Sequence, residues 1–208
     1  MFVDIHTHLD NQSVIRILDD NFEEKVLTTW GVHPWEVGGN DKEVPRREAA
    51  RNDSGFFAVG EVGLDKAHKE TFERQVEVFE EMIKLSESLR KPVIVHCVRA
   101  YSEIIAIRKK MKATMPWVIH GFNSSVETMR QLLRYDMYIS LGEILYRNEN
   151  QAVEILKNIP LDRLFLETDV SKRDIREVYA KAASLMGCDI EVLCKQIFEN
   201  YGRLETTH

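Results

Sequence analysis

Again and again along this chain, a short run of β-branched and aromatic residues ends on a polar side chain and gives way to a turn or a helical stretch. The runs are FVDIHTH, SVIRILD, KVLTTWG, FFAVGEVG, PVIVHC, WVIHGF, MYISLGE and RLFLETD. Strands alternating with helices predict a parallel sheet. Eight such strands predict an α/β closed (β/α)8 barrel, the TIM barrel. That architecture usually takes about 250 residues, and this chain has 208, so part of it must be missing. Only Leu9 to Gln12, with Asn11 and Gln12 as the link, separate the first two runs, and only Asp20 to Glu24 the next two. The first two connecting helices are therefore expected to be reduced or absent. No repeat, low-complexity tract or Pro/Gly/Ser linker divides the chain, and residues 1–208 read as one compact domain.

Helical spacing is clearest in the second half. In KETFERQVEVFEEMIKLSESLR, Phe72, Val76, Phe79 and Ile83 fall on one face. The pattern recurs at Ile104, Ile105, Ile107 and Met111, then at Val126, Met129 and Leu133, at Ile155 and Leu156, and at Ile175, Val178, Ala182 and Leu185. Gly187 is placed to end one helix, and Asp189 to cap the last, which buries Ile190, Leu193 and Ile197.

Several classes are disfavoured. No run approaches the roughly 18 apolar residues of a membrane span, and the start lacks the basic region and apolar core of a secretory signal. Cys97, Cys188 and Cys194 are an odd set without zinc-finger spacing, which fits a reducing cytoplasm. A formal charge of −6 argues against broad, sequence-independent binding to nucleic acid, though not against a small site that holds phosphate through metal ions.

The chemistry sits at the strand ends. His6 and His8 close the first run, His33 follows the third, Glu61 ends the fourth, His96 the fifth, His120 the sixth and Asp169 the eighth. In these barrels the C-terminal strand ends form the active site, so the seven side chains should converge on one mouth. A single histidine in an apolar strand is ordinarily a hydrogen-bonded core residue, a single Glu a salt-bridge partner, and a single Asp before SKRDIREV a helix cap. But histidine is not a favoured strand residue and is costly to bury unpaired, so five placed this way point to a shared metal site. His6 and His8, two apart on a strand, point the same way. Asp4 stands behind them as a candidate acceptor for an imidazole N–H. Imidazole with carboxylate suits Zn, Mn, Fe or Ni, and Mg less well. Six ligands exceed what one zinc uses, whereas two divalent ions bridged by Glu61 and a hydroxide would use them all.

The ordered set DIHTHLD, GVHP, GEVGLD, PVIVHC, VIHGF and LETD resembles the TatD family of metal-dependent deoxyribonucleases, within the amidohydrolase-like barrels, over nearly the whole chain. The resemblance implies that His6, His8 and Asp169 bind one ion, that Glu61 bridges to a second completed by His96 and His120, and that Asp169 helps deprotonate the attacking water. His33 would touch the substrate phosphate without being a metal ligand. DNA, or a small phosphodiester, is the implied substrate, often cut from the 3′ end. The chain departs from the family's usual pattern at Val98, where an arginine is usual and Arg99 follows one later, in HGFNSS with its Asn123 and Ser124, and after LETD, where VSKRDIREV enters a helix almost at once.

Other polar residues are open to two readings each. Glu167 either enters the site or partners a base within the barrel. Lys66 and Arg99 neutralise phosphate or are surface charges, and Trp35 stacks on a base or packs under its loop. Cys97 should face the core, opposite His96. RKKMK, from Arg108 to Lys112, reads as a solvated helix end, and neither His68 nor His208 is assigned a role. A monomeric hydrolase with no membrane association is expected. Hydrolysis of a small ester, amide or lactone at the same site, and a non-catalytic barrel scaffold, are the competing functions.

Overall fold

The computed structural model describes residues 1–9, 12–19, 21, 23–38 and 56–205. All the expected strands form, hydrogen-bonded in sequence order: β1 (Phe2–Leu9), β2 (Gln12–Leu18), β3 (Glu24–Trp30), β4 (Ala58–Asp65), β5 (Val93–Val98), β6 (Trp117–Ile119), β7 (Tyr138–Leu141) and β8 (Leu164–Leu166). From β3 to β8 each neighbouring pair is parallel. The expectation of a wholly parallel sheet fails at β2, which runs antiparallel to both β1 and β3. A parallel return needs a connection of a dozen or more residues, and with the two helices gone the chain can only double back. Gln12, expected in the link, is the first residue of β2. Asn11, Asp20 and His208 lie outside the described residues.

The barrel closes between β1 and the end of β8. Thr7 bridges Asp169 in parallel, the Asp169 N–H donates to His6 O at 3.0 Å, and the His8 N–H donates to Asp169 O at 3.3 Å. Side chains seal the rest of this seam. Buried Asp4 accepts from the Thr168 N–H at 2.9 Å and its hydroxyl at 2.6 Å. The Tyr179 hydroxyl accepts from Val3 N–H at 3.1 Å and donates to Val3 O at 3.0 Å.

Helices follow the later strands: α1 (Phe72–Leu89), α2 (Tyr101–Met111), α3 (Val126–Leu133), α4 (Ile144–Arg147), α5 (Glu149–Asn158), α6 (Ile175–Met186) and α7 (Ile190–Glu205). On α1, Phe79 and Ile83 are buried as expected, joined by Val78, Met82 and Leu85, while Phe72 and Val76 are only half-buried. Gly187 ends α6 with φ 67°, and Asp189 caps α7 by accepting from the Glu191 N–H at 3.1 Å. Asn200 of α7, fully buried, donates to the carbonyls of Leu161 and Leu164 at 2.8 and 2.9 Å. At about 1 kcal/mol per satisfied bond, it fastens the last helix to the start of β8. One continuous core links strand residues such as Ile5, Val95, Ile139 and Phe165 to Phe79, Val178 and Leu193 of the helices. Among the described residues no helix is long and apolar enough to cross a membrane.

Candidate metal centre

Six of the seven side chains expected at strand ends meet around the seventh, Glu61, which lies within β4 and not at its end and is only 7% exposed. Its two oxygens face different partners. Oε2 lies 3.2 Å from His6 Nε2 and 3.4 Å from His8 Nε2. Oε1 lies 2.6 Å from both His96 Nδ1 and His120 Nε2, and 3.2 Å from His33 Nε2. Asp169 Oδ1 is 3.6 Å from both His6 Nε2 and His8 Nε2. Asp169 reaches this position with φ 51°, within the seam at which the barrel closes. Donor atoms of three groups lie within 4.8 Å of one another: His6, His8 and Glu61; His6, His120 and Asp169; and His33, Glu61 and His96. One carboxylate thus divides the cluster into two halves.

The donor set fits divalent ions. His6 Nε2 is buried without a hydrogen-bond partner among the described residues, yet it faces both carboxylates. A buried lone pair in that position is what a cation satisfies. Behind three imidazoles stands a polar side chain on the ring's far nitrogen: Ser13 Oγ at 3.2 Å from His6 Nδ1, Asp65 Oδ2 at 3.7 Å from His96 Nε2, and Glu167 Oε1 at 3.7 Å from His120 Nδ1. The Ser13 hydrogen bond orients the His6 ring and leaves its other nitrogen free to ligate, while Asp65 and Glu167 stand beyond hydrogen-bond reach of His96 Nε2 and His120 Nδ1.

The electrostatics show how strongly these groups are coupled. Burial alone would raise the Glu61 carboxyl, but the charge and hydrogen bond of His120, with His33 beside it, hold it well below the usual carboxylate range. Burial would lower His120, and Glu61 and Glu167 instead raise it well above the ordinary imidazole value. His96 is pushed down, chiefly by burial. The Glu61 and Glu167 carboxylates thus favour the protonated form of His120, and a cation bound there would compete with that proton.

Several expectations change. Asp4 does not back an imidazole. It holds the Thr168 turn, and burial lifts its carboxyl to about 7. Glu167 sits behind His120 and accepts from the Gly121 N–H at 2.6 Å, which matches the partner reading. Lys66 pairs with Glu103 at 2.6 Å. Arg108 is not solvated: it is buried, donates to Met115 O at 2.6 Å and lies 4.9 Å from the centroid of the Trp117 ring. Cys97 is buried in the core, its thiol pushed up to about 12 by burial. Arg99 is exposed at the turn after β5, with φ 56°, and does not line the mouth cavity. Sequence reasoning passed over Ser13, Thr29 and Asp65. Asp65 carried a signal, since it ends GEVGLD as a polar residue at a strand terminus. Ser13 carried none.

Comparisons with known proteins place the chain in a family. The TatD related DNase family model matches residues 1–206. The chain is 36% identical over 198 residues to the uncharacterized metal-dependent hydrolase YcfH of Escherichia coli K12, covering 87% of this chain and 74% of that protein. It is 31% identical over 163 residues to the 3′-5′ ssDNA/RNA exonuclease TatD of Cronobacter turicensis, covering 76% of this chain and 62% of that one. Among solved structures, the TatD homolog YjjV of Escherichia coli superposes with a TM-score of 0.76 at 22% identity, covering 86% of this chain and 76% of that one, a likeness of fold. The motifs along the strands and the family match over nearly every residue lead to one conclusion: the chain belongs to the TatD-related DNase family of metal-dependent hydrolases.

Proposed function

We propose that this chain hydrolyses phosphodiester bonds in single-stranded nucleic acid, DNA above all, using two divalent ions. The observation that carries the reading is the split of Glu61, with Oε2 toward His6 and His8 and Oε1 toward His96 and His120. His6, His8 and Asp169 would hold one ion, His96 and His120 the other, and Glu61 both. Bound there, such ions acidify a water and stabilise charge on phosphoryl oxygens. The rest falls to the chain itself. The Asp169 side chain is 36% exposed, so it faces both the cluster and the mouth cavity and accepts the proton of the attacking water. His33, at the rim beside Glu61, orients a phosphate oxygen.

The shape of the mouth favours a polymer over a small ester. A cavity of about 710 Å³ containing His8, Glu61 and Asp169 adjoins a groove of about 590 Å³, and Asp169 and Val170 line both. The groove brings Asn123, Arg147, Asn148 and Arg173 alongside, amide and guanidinium groups suited to a phosphate backbone. The ligand cluster is complete within one chain, which supports a monomer, and free cysteines suit a reducing cytoplasm. The test is a panel of single-stranded DNA, bis-nitrophenyl phosphate and lactones, each with Mg, Mn and Zn. Turnover of DNA and of the diester is expected. Turnover of the lactones alone would remove the nuclease reading.

A further inference from the structure

Among the described residues Trp35 is the only exposed Trp or Phe, with 61% of its surface open. It follows His33 in the short 3-10 turn Pro34–Glu36 and lines the mouth cavity together with His8, Glu61, His96 and Asp169. An exposed indole on a turn ordinarily samples several rotamers. This one is pinned. Its Nε1–H donates to Asp65 Oδ2 at 2.7 Å, and Asp65, 2% exposed, is itself held by the Ala67 N–H at 2.7 Å. Its ring meets His33 edge-on at 4.8 Å between centroids, and stands 6.1 Å from His96 and 5.5 Å from His68. An apolar plane is thus kept exposed, held rigid and set beside the proposed ligand His96 by a buried carboxylate that neighbours both. Packing does not account for the exposure, and hydrogen bonding to solvent does not account for it either, because the N–H is already spent on Asp65.

We infer that Trp35 is the stacking platform for a nucleobase of the substrate, the base carried by the nucleotide next to the scissile phosphate. The inference rests on the phosphodiesterase reading and adds to it a preference: strands bearing bases are recognised over abasic ones, with little regard to which base. Every base offers a π-face, so stacking tolerates sequence, and a ring already fixed loses little freedom on binding.

The test compares the metal-loaded wild type, Trp35→Phe and Trp35→Ala on a single-stranded oligonucleotide and on its counterpart with abasic 3′-terminal nucleotides. One stacked base is worth a factor of roughly 5 to 100. The wild type is expected to show a KM lower by that factor on the base-bearing strand. Trp35→Ala should bring the two KM values together, with the loss appearing in KM and not in kcat, and Trp35→Phe should keep part of the difference. A second arm reads binding without turnover. Adding 2′-deoxyadenosine 5′-monophosphate should quench indole fluorescence in the wild type and not in Trp35→Phe, which retains Trp30 and Trp117, while deoxyribose 5-phosphate should quench neither. Cleavage of DNA with the same discrimination in Trp35→Ala as in wild type overturns the platform and leaves the nuclease intact. Absence of any DNA cleavage overturns the nuclease, and the quenching arm then decides the platform by itself: equal quenching in wild type and Trp35→Phe, or none in either, refutes it.

Discussion

Ser13→Ala removes a single hydroxyl and leaves every proposed ligand in place. Its effect can be worked out from the geometry. His6 is fully buried, and Ser13 Oγ lies 3.2 Å from its Nδ1. Ser13 is in turn fixed by the Thr29 hydroxyl, 2.8 Å from Ser13 Oγ and 2.9 Å from Ser13 O. A proton on Nδ1, shared with Ser13, leaves the Nε2 lone pair facing Glu61 and Asp169. Without Ser13 the ring is free to tilt or to take the other tautomer, which points an N–H at the ion. Loss of such a partner typically lowers metal affinity 10- to 100-fold. Here the bond is at the long end of the normal range, and Ser13 lines the mouth cavity, where water can replace it. The lower figure applies: about tenfold, or about 1.4 kcal/mol. The metal-free protein should lose about 1 kcal/mol of stability, a Tm shift of about 2–4 °C for a chain of this size. The assay is activity against free metal concentration, with a competition titration using a chromophoric chelator. The curve should move about tenfold to higher metal, with kcat recovering to within a few-fold at saturation. A midpoint within twofold of wild type would show that Ser13 does not orient His6, and a kcat that stays low at saturating metal would show that the defect is not one of metal affinity.

Glu61→Gln should behave differently. It removes the charge shared by both halves of the cluster, so activity should fall at least about 10³-fold, about 4 kcal/mol of transition-state stabilisation, and added metal should not restore it; bound metal per chain, read by elemental analysis, should fall together with it, and near-normal activity would take Glu61 out of the mechanism. Gly63 has φ 151°, and a Cβ there would lie 2.0 Å from the carbonyl oxygen of His96; Gly63→Ala should cost more than about 4 kcal/mol or leave the chain insoluble, whereas Gly202→Ala on α7, with nothing within 4 Å of the added carbon, should gain up to about 1 kcal/mol. Comparable urea midpoints for the two variants would contradict the packing described at β4 and β5. Asp174 caps α6, and the bond from Arg176 holds its carboxyl down to about 2. A depressed carboxyl contributes stability above its unfolded value of about 3.9 and loses it as pH falls toward 2. With the side chain 35% exposed, solvent screening reduces the contribution to less than about 1 kcal/mol. Asp174→Asn retains the cap and deletes the charge, so its deficit against wild type in urea should be present at pH 7 and narrow below about pH 4; a deficit that is constant with pH would mean that the charge contributes nothing.

Much of this architecture can be read from the sequence because local pattern and global fold agree. Strands of β-branched residues, helices with apolar stripes, Gly187 at a left-handed helix end and Asp189 at a cap each act within a few residues of themselves. The strand-end histidines could be read for the same reason: once the barrel is inferred, its topology alone brings the ends together. What escaped depends on contacts across long separations. In sequence Asp4 reads as a partner of the His6 and His8 imidazoles, but its carboxylate reaches Thr168 across the closing seam. Arg108 resembled its lysine neighbours, and only the fold shows that Trp117 and the Met115 carbonyl cover it.

Ser13 marks the point where the reading failed for a physical reason with functional weight. A strand in a regular barrel presents its C-terminal end to the mouth, so a serine at the start of β2 would be assigned to the opposite rim. Loss of the first two helices forces β2 to run backwards, and its N-terminal end arrives at the mouth, opposite His8 in the β1 ladder and within reach of His6. Shortening the chain thus changed more than its length. It put a strand start among the strand ends and with it supplied a hydroxyl that a longer connection would have carried elsewhere. Restoring a full crossover between β1 and β2 should therefore weaken the hold on His6 even with Ser13 unchanged in sequence, because the hydroxyl would move to the far rim with the end of the strand that bears it.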